Sequence, residues 1–164
     1  MEKDRKYWGF RIYKEKKDFF RNELLTNNIL RQGWGYKKEQ NLLCFTSTDK
    51  SDKRNLPMLN VRQGDLIFIP NMFKQYFVTV SKALEDWKTG YCFSISSETG
   101  DTGDYDFGHM FPAQYICDIE LSRFSDTIQK KMSLPPRFWE IKNCEQEIES
   151  LFLLLPNKNT HILH

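Results

Sequence analysis

Apolar and polar positions along the chain change period several times, and each change predicts an element. Tyr7-Trp8-Gly9-Phe10-Arg11-Ile12-Tyr13 is aromatic and β-branched, the make-up of a first strand. From Lys14 to Asn28 the period lengthens. Phe19, Phe20, Leu24 and Leu25 recur at helical spacing among charged residues, which predicts an amphipathic helix laid on a sheet and stopped by Asn27-Asn28. Ile29 to Trp34 then reads as a short strand that carries Trp34 to a sheet edge. Tyr36 to Leu59 is a polar connection rich in Lys, Asp and Asn with one apolar insert, Leu42-Leu43-Cys44-Phe45. Connections this long are often functional or partly helical.

After the Gln63-Gly64-Asp65 turn, Leu66 to Pro70 is continuously apolar, as a strand buried on both faces would be. Gln75 to Ala83 sets Tyr76, Val78 and Val80 against Phe77, Thr79 and Ser81, the alternation of a partner strand. Residues 90–96 and 111–121 predict two further strands around the Gly/Asp/Ser-rich segment Ser97 to Gly108. Ser125–Met132 and Asn143–Leu155 predict helices, with Pro135-Pro136 breaking the chain between them. This order describes an α+β fold: a small curved mixed β-sheet or β-barrel with flanking helices.

The 164 residues suit a single domain, and 40% hydrophobic content supplies one core without disulfides or metal. Cys44, Cys92, Cys117 and Cys144 never approach C-x-x-C spacing and sit in or beside apolar runs, so reduced thiols in a cytoplasmic protein are expected. No segment has the length of a membrane span, and no apolar core follows the basic start, so neither a membrane partner nor a secretion signal is expected.

Charge is unevenly divided. Residues 1–82 hold 17 Lys/Arg against 9 Asp/Glu, a net of +8, and residues 83–164 hold 7 against 13, a net of −6. A basic half is what phosphate contacts require. A solvated helix face accounts equally well for Lys14, Lys16, Lys17 and Arg21.

Candidate chemistry is sparse. His109 is the only internal histidine, there is no phosphate-binding glycine loop, and no nucleophile, paired acids or metal cluster stands at a usable spacing. An enzyme, a cofactor and a metal site are therefore not expected. The chain is instead rich in aromatics, 24 Phe, Trp and Tyr, several of them beside turns. Trp34 stands between Gly33 and Gly35, which allow a flat ligand to approach its ring closely. A base stacked on an aromatic face gains roughly 1–3 kcal/mol. Asp104 or Asp106 could then accept from an exocyclic amine, although turn chemistry alone also explains aspartates there. His109 reads first as a loop anchor with a place near the pocket. Arg31, Lys37, Lys38, Arg62 and Lys74 lie close in sequence to these elements and are the candidate phosphate-contacting rim.

Three segments taken in order carry a resemblance: Arg31-Gln32-Gly33-Trp34-Gly35, then Gly64-Asp65-Leu66-Ile67-Phe68-Ile69-Pro70, then Asp106-Phe107-Gly108-His109 leading into Phe111-Pro112-Ala113-Gln114-Tyr115-Ile116. With them the chain resembles the EVE-like and YTH-like branch of the PUA superfamily, especially the N-terminal DNA-reading domains of McrBC-type modification-dependent restriction systems. The likeness covers residues 7–120 as a barrel core and leaves 125–155 as a helical extension. It implies a small β-barrel that takes a modified base into an aromatic cage. Trp34 matches the cage tryptophan. Phe73 and Tyr76 are the candidates for the second wall, with Trp87 and Tyr91 behind them, and Asp106 and His109 match the acidic and histidine positions. Tyr115 stands where relatives often carry tryptophan and is left out of the cage.

The expected function is thus a non-enzymatic module that binds a flipped base of double-stranded DNA, methylated adenine or modified cytosine. It would serve as the specificity part of a restriction or antiviral defence system, with a motor or nuclease subunit or domain as a further partner. The alternatives are a reader of modified or single-stranded RNA, and a protein-interaction domain in which Trp34 is core.

Overall fold

The computed structural model describes residues 5–12, 14–33, 41–44, 54–93 and 108–155. Among these residues seven strands form one curled, mixed half-barrel sheet: β1 (Tyr7–Phe10), β2 (Ile29–Gln32), β3 (Leu66–Pro70), β4 (Phe77–Ala83), β5 (Cys92–Phe93), β6 (His109–Glu120) and β7 (Phe138–Glu140). The order is β2-β6-β4-β3-β1-β7, with β5 also on β6. Among the described residues β1 and β3 run parallel, and the other pairs are antiparallel. The helices among the described residues are α1 (Lys17–Asn27), α2 (Trp87–Gly90), α3 (Asp126–Met132) and α4 (Glu145–Leu153). The α+β expectation with a curved mixed sheet holds.

The sheet is covered on both faces, which explains its sequence. In β3, Ile67 and Ile69 join one core, and Leu66 and Phe68 join the other, so the run has no polar position. In β4 the expected alternation is present in residue type but both faces are buried, Thr79 and Ser81 included. Strand β6 serves both cores by a bulge. Ser81 pairs with Tyr115 and Val80 with Cys117, so Ile116 is the extra residue. An extra residue reverses the side-chain alternation beyond it. Tyr115 accordingly packs against the first core, and Cys117 and Ile119 against the second.

Helix α1 ends where the asparagines predicted. Asn28 adopts φ 56°, ψ 41° and donates its N–H to the Glu23 carbonyl, a left-handed cap. Its buried stripe is Phe20, Glu23 and Leu24, whereas Leu25 is 48% exposed. The region from 125 onward is more than an extension. It contributes β7, paired with β1, and much of the second core through Ile128, Met132, Trp139, Ile148 and Phe152.

The described cysteines are free, and they divide into two kinds. Cys44 and Cys92 are exposed. Burial, and then Asp118, pushes the Cys117 thiol up to about 12, and burial, and then Glu145, does the same for Cys144. Only the thiolate reacts. Iodoacetamide at pH 8 should therefore alkylate Cys44 and Cys92 in the native protein and spare Cys117 and Cys144, as read by peptide mass spectrometry.

Candidate nucleic-acid interface

Strand β6 begins at His109, and its two neighbours there converge on that residue. Gln32 of β2 lies directly across on one side, and Phe93 of β5 on the other. Directly paired residues present side chains on the same face. His109 is fully buried, with the Phe93 ring 4.6 Å and the Tyr91 ring 5.9 Å from its own. Tyr91 also packs on Phe111 at 5.2 Å. The result is an aromatic wall with polar atoms set into it.

Those polar atoms are held tightly. The Leu42 N–H donates to the Tyr91 hydroxyl at 3.1 Å, and that hydroxyl lies 2.7 Å from His109 Nδ1. The hydroxyl thus joins the Leu42 backbone to the imidazole, and the ring tautomer decides which of hydroxyl and Nδ1 donates. Gln32, only 1% exposed, donates from Nε2 to the Arg11 carbonyl and accepts the Gly33 N–H at 3.1 Å. Removing the Tyr91 hydroxyl strips two buried groups of this partner at once. Tyr91→Phe should cost about 2 kcal/mol of stability, measured by urea denaturation.

The candidate residues divide by location. Gly33, Tyr91 and His109 meet at the start of β6, and Trp87 lies behind them, fully buried, with its indole N–H on the Pro112 carbonyl at 3.1 Å. Phe73 and Tyr76 belong to the β3–β4 loop. Phe73 packs on Tyr115 at 5.9 Å, six residues along β6 from His109, about 20 Å at ordinary strand rise. They therefore do not form the second wall of a pocket at His109. Tyr76 is 68% exposed and held at φ 66° by its N–H on Asn71 Oδ1 at 2.9 Å. Trp34, Gly35, Asp104 and Asp106 lie outside the described residues, as do Lys37 and Lys38.

The expected phosphate rim is also dispersed. Arg31 Nε is 2.6 Å from Glu23 Oε2, with both side chains about one tenth exposed, so its charge is met inside the protein. Lys74 sits over the Phe77 ring at 4.2 Å, beside Tyr76. Arg62 lies at the opposite end of the β3–β4 hairpin, before the Gly64 turn, and is exposed.

Gln32 and Phe93 were not among the residues singled out from sequence. Parity could have found Gln32: it shares a strand face with buried Leu30, so a polar residue points inward there. Phe93 stands two positions from Tyr91, the spacing of one strand face. Among the described residues no group of three His, Cys, Asp or Glu could hold a metal, and no helix is long and apolar enough to cross a membrane. No protein-family model matches the chain, and comparison of its sequence with curated proteins returns no match.

Proposed function

We propose that this protein is a binding module for a modified nucleobase, an EVE-like member of the PUA superfamily that takes a flipped base of duplex DNA at the start of β6. The observation that carries the reading is the Gln32–His109–Tyr91 set, polar groups fixed inside an aromatic wall at the point where Gly33-Trp34-Gly35 begins. Flat heteroaromatic ligands need faces to stack on and fixed polar groups to read an edge; the internal Gln32–His109–Tyr91 bonds fix the wall, and the stacking and reading groups stand in front of it. Trp34 supplies the stacking face in this account. Asp104 or Asp106 supplies the acceptor for an exocyclic amine.

The module does no chemistry on the base. A methyl group that fills apolar volume contributes about 1–3 kcal/mol, so modified and unmodified duplexes should differ by roughly 10- to 200-fold in affinity. Such a reader suits the specificity part of a restriction or defence system in which another subunit or domain cuts. Fluorescence anisotropy tests this with matched DNA duplexes carrying adenine, methylated adenine, cytosine, methylcytosine or hydroxymethylcytosine, and with single-stranded RNA. Preference for one modified duplex is the expected result. Tight RNA binding with indifference to every duplex would transfer the site to an RNA reader, and no binding at low salt would remove nucleic acid from the account.

A further inference from the structure

A cleft of about 550 Å³ opens beside β1 and β7, with Lys88 of α2 on its rim. Its floor is apolar and closed. Trp8 and Phe138 stack at 4.9 Å and 15° and are 3% and 7% exposed, so the floor offers a smooth surface and no aromatic face to intercalate. Its rim is charged, by Lys6, Arg62, Lys88, Asp86 and Glu140.

The rim charges do not cancel. Glu140 is met twice, by Lys6 at 3.2 Å and Lys142 at 3.6 Å. Asp86 turns Oδ1 to the Gln63 N–H at 2.8 Å. Arg62 and Lys88 have no ion-pair partner among the described residues, and both side chains are exposed. With Lys142 counted, four cations face two carboxylates.

A chain of buried rings links the cleft to the base site. Phe138 forms part of its wall and packs on Trp87 at 6.0 Å; Trp87 packs on Phe111 at 4.5 Å, and Phe111 on Tyr91 at 5.2 Å. Lys88 and Tyr91 are three residues apart on and just after α2, roughly 5 Å at helical rise. A strand whose base enters beside Tyr91 would need its phosphates close by.

We infer that this cleft is the path of the nucleic acid's phosphodiester backbone, with Arg62 and Lys88 as the phosphate contacts and the Trp8–Phe138 floor under the sugar edge. The inference rests on the base-binding reading above. Phosphate contacts carry no base information, and each released counterion adds to the salt dependence.

The test is anisotropy against NaCl concentration with the preferred modified duplex and its unmodified twin. It uses the wild type, the double variant Arg62→Ala/Lys88→Ala, and the control Arg123→Ala/Lys130→Ala, whose side chains are exposed beside and on α3. Circular dichroism and urea midpoints check that the variants fold alike. The cleft variant should lose affinity by the same factor on both duplexes, keep the modified-to-unmodified ratio, and show a log K against log salt slope shallower by about 2. The control should match the wild type. A cleft variant that binds with wild-type affinity and slope overturns the inference and leaves the base-binding reading standing. Equal losses in cleft variant and control also overturn it, in favour of a diffuse basic surface. A wild type that binds neither duplex overturns the base-binding reading, and the cleft inference with it.

Discussion

Replacing Asp65 with alanine should lower the unfolding free energy by about 3–5 kcal/mol, because three donors converge on a carboxylate that is 2% exposed. Oδ1 accepts the Lys6 N–H at 2.9 Å; Oδ2 accepts the Trp8 indole N–H at 2.8 Å and the Arg62 N–H at 3.0 Å. These bonds tie the entry of β1 to the turn before β3, and the two strands pair in parallel. Parallel neighbours cannot be joined by a tight hairpin, so this register depends on tertiary contacts. Asp65→Asn is a sharper form of the test. An amide keeps one acceptor oxygen and turns an NH₂ toward either one or two of the donors, so it should rescue less than half of the loss. Urea denaturation of the three proteins measures both effects. A loss under 1 kcal/mol for Asp65→Ala would show that the register is held elsewhere.

The second large effect concerns Gly9. A Cβ built there would stand 2.0–2.6 Å from three ring atoms of Trp139, its partner across the β1–β7 ladder. The indole cannot swing aside freely. It is 8% exposed, and its N–H donates to the Lys131 carbonyl at 2.8 Å. Gly9→Ala should therefore cost about 3 kcal/mol, at the upper end of overpacking in a filled core. Pairing it with Trp139→Leu makes room, and the double variant should lose clearly less than the sum of the singles. Simple addition of the two losses would show that the clash is relieved by backbone movement.

The same residues mark where sequence reading succeeds and where it stops. Burial on both faces leaves a local trace, so β3 is visible as an unbroken apolar run, and a left-handed asparagine leaves another, so the end of α1 is visible. Strand β7 leaves none. Its three residues follow Pro135-Pro136 and acquire meaning only from a partner about 130 positions earlier, which is also why the need for glycine at position 9 is hidden. Leu25 has helical spacing but falls at the margin of the stripe, and Glu23 takes the inward place because Arg31 and Asn27 satisfy it.

The site was legible in part for related reasons. Gly33 and His109 lie near one another because Gln32, the residue before Gly33, pairs with His109. Closeness in sequence misled for the rim. Arg62 and Lys74 are twelve residues apart but stand at opposite ends of a hairpin, and Phe73 follows the strand end that points away from His109. Strand direction sets those positions, and residue type does not reveal it.

The central claim, that a modified base is read by a stacking cage beside His109, is tested most directly by the affinity ratio of modified to unmodified duplex in the wild type and in Trp34→Ala. The expected wild-type ratio is roughly 10 or more and collapses to about 1 in Trp34→Ala, with binding to both duplexes weakened by the lost stacking. A ratio that survives Trp34→Ala, or a wild type that binds both duplexes equally, would contradict it.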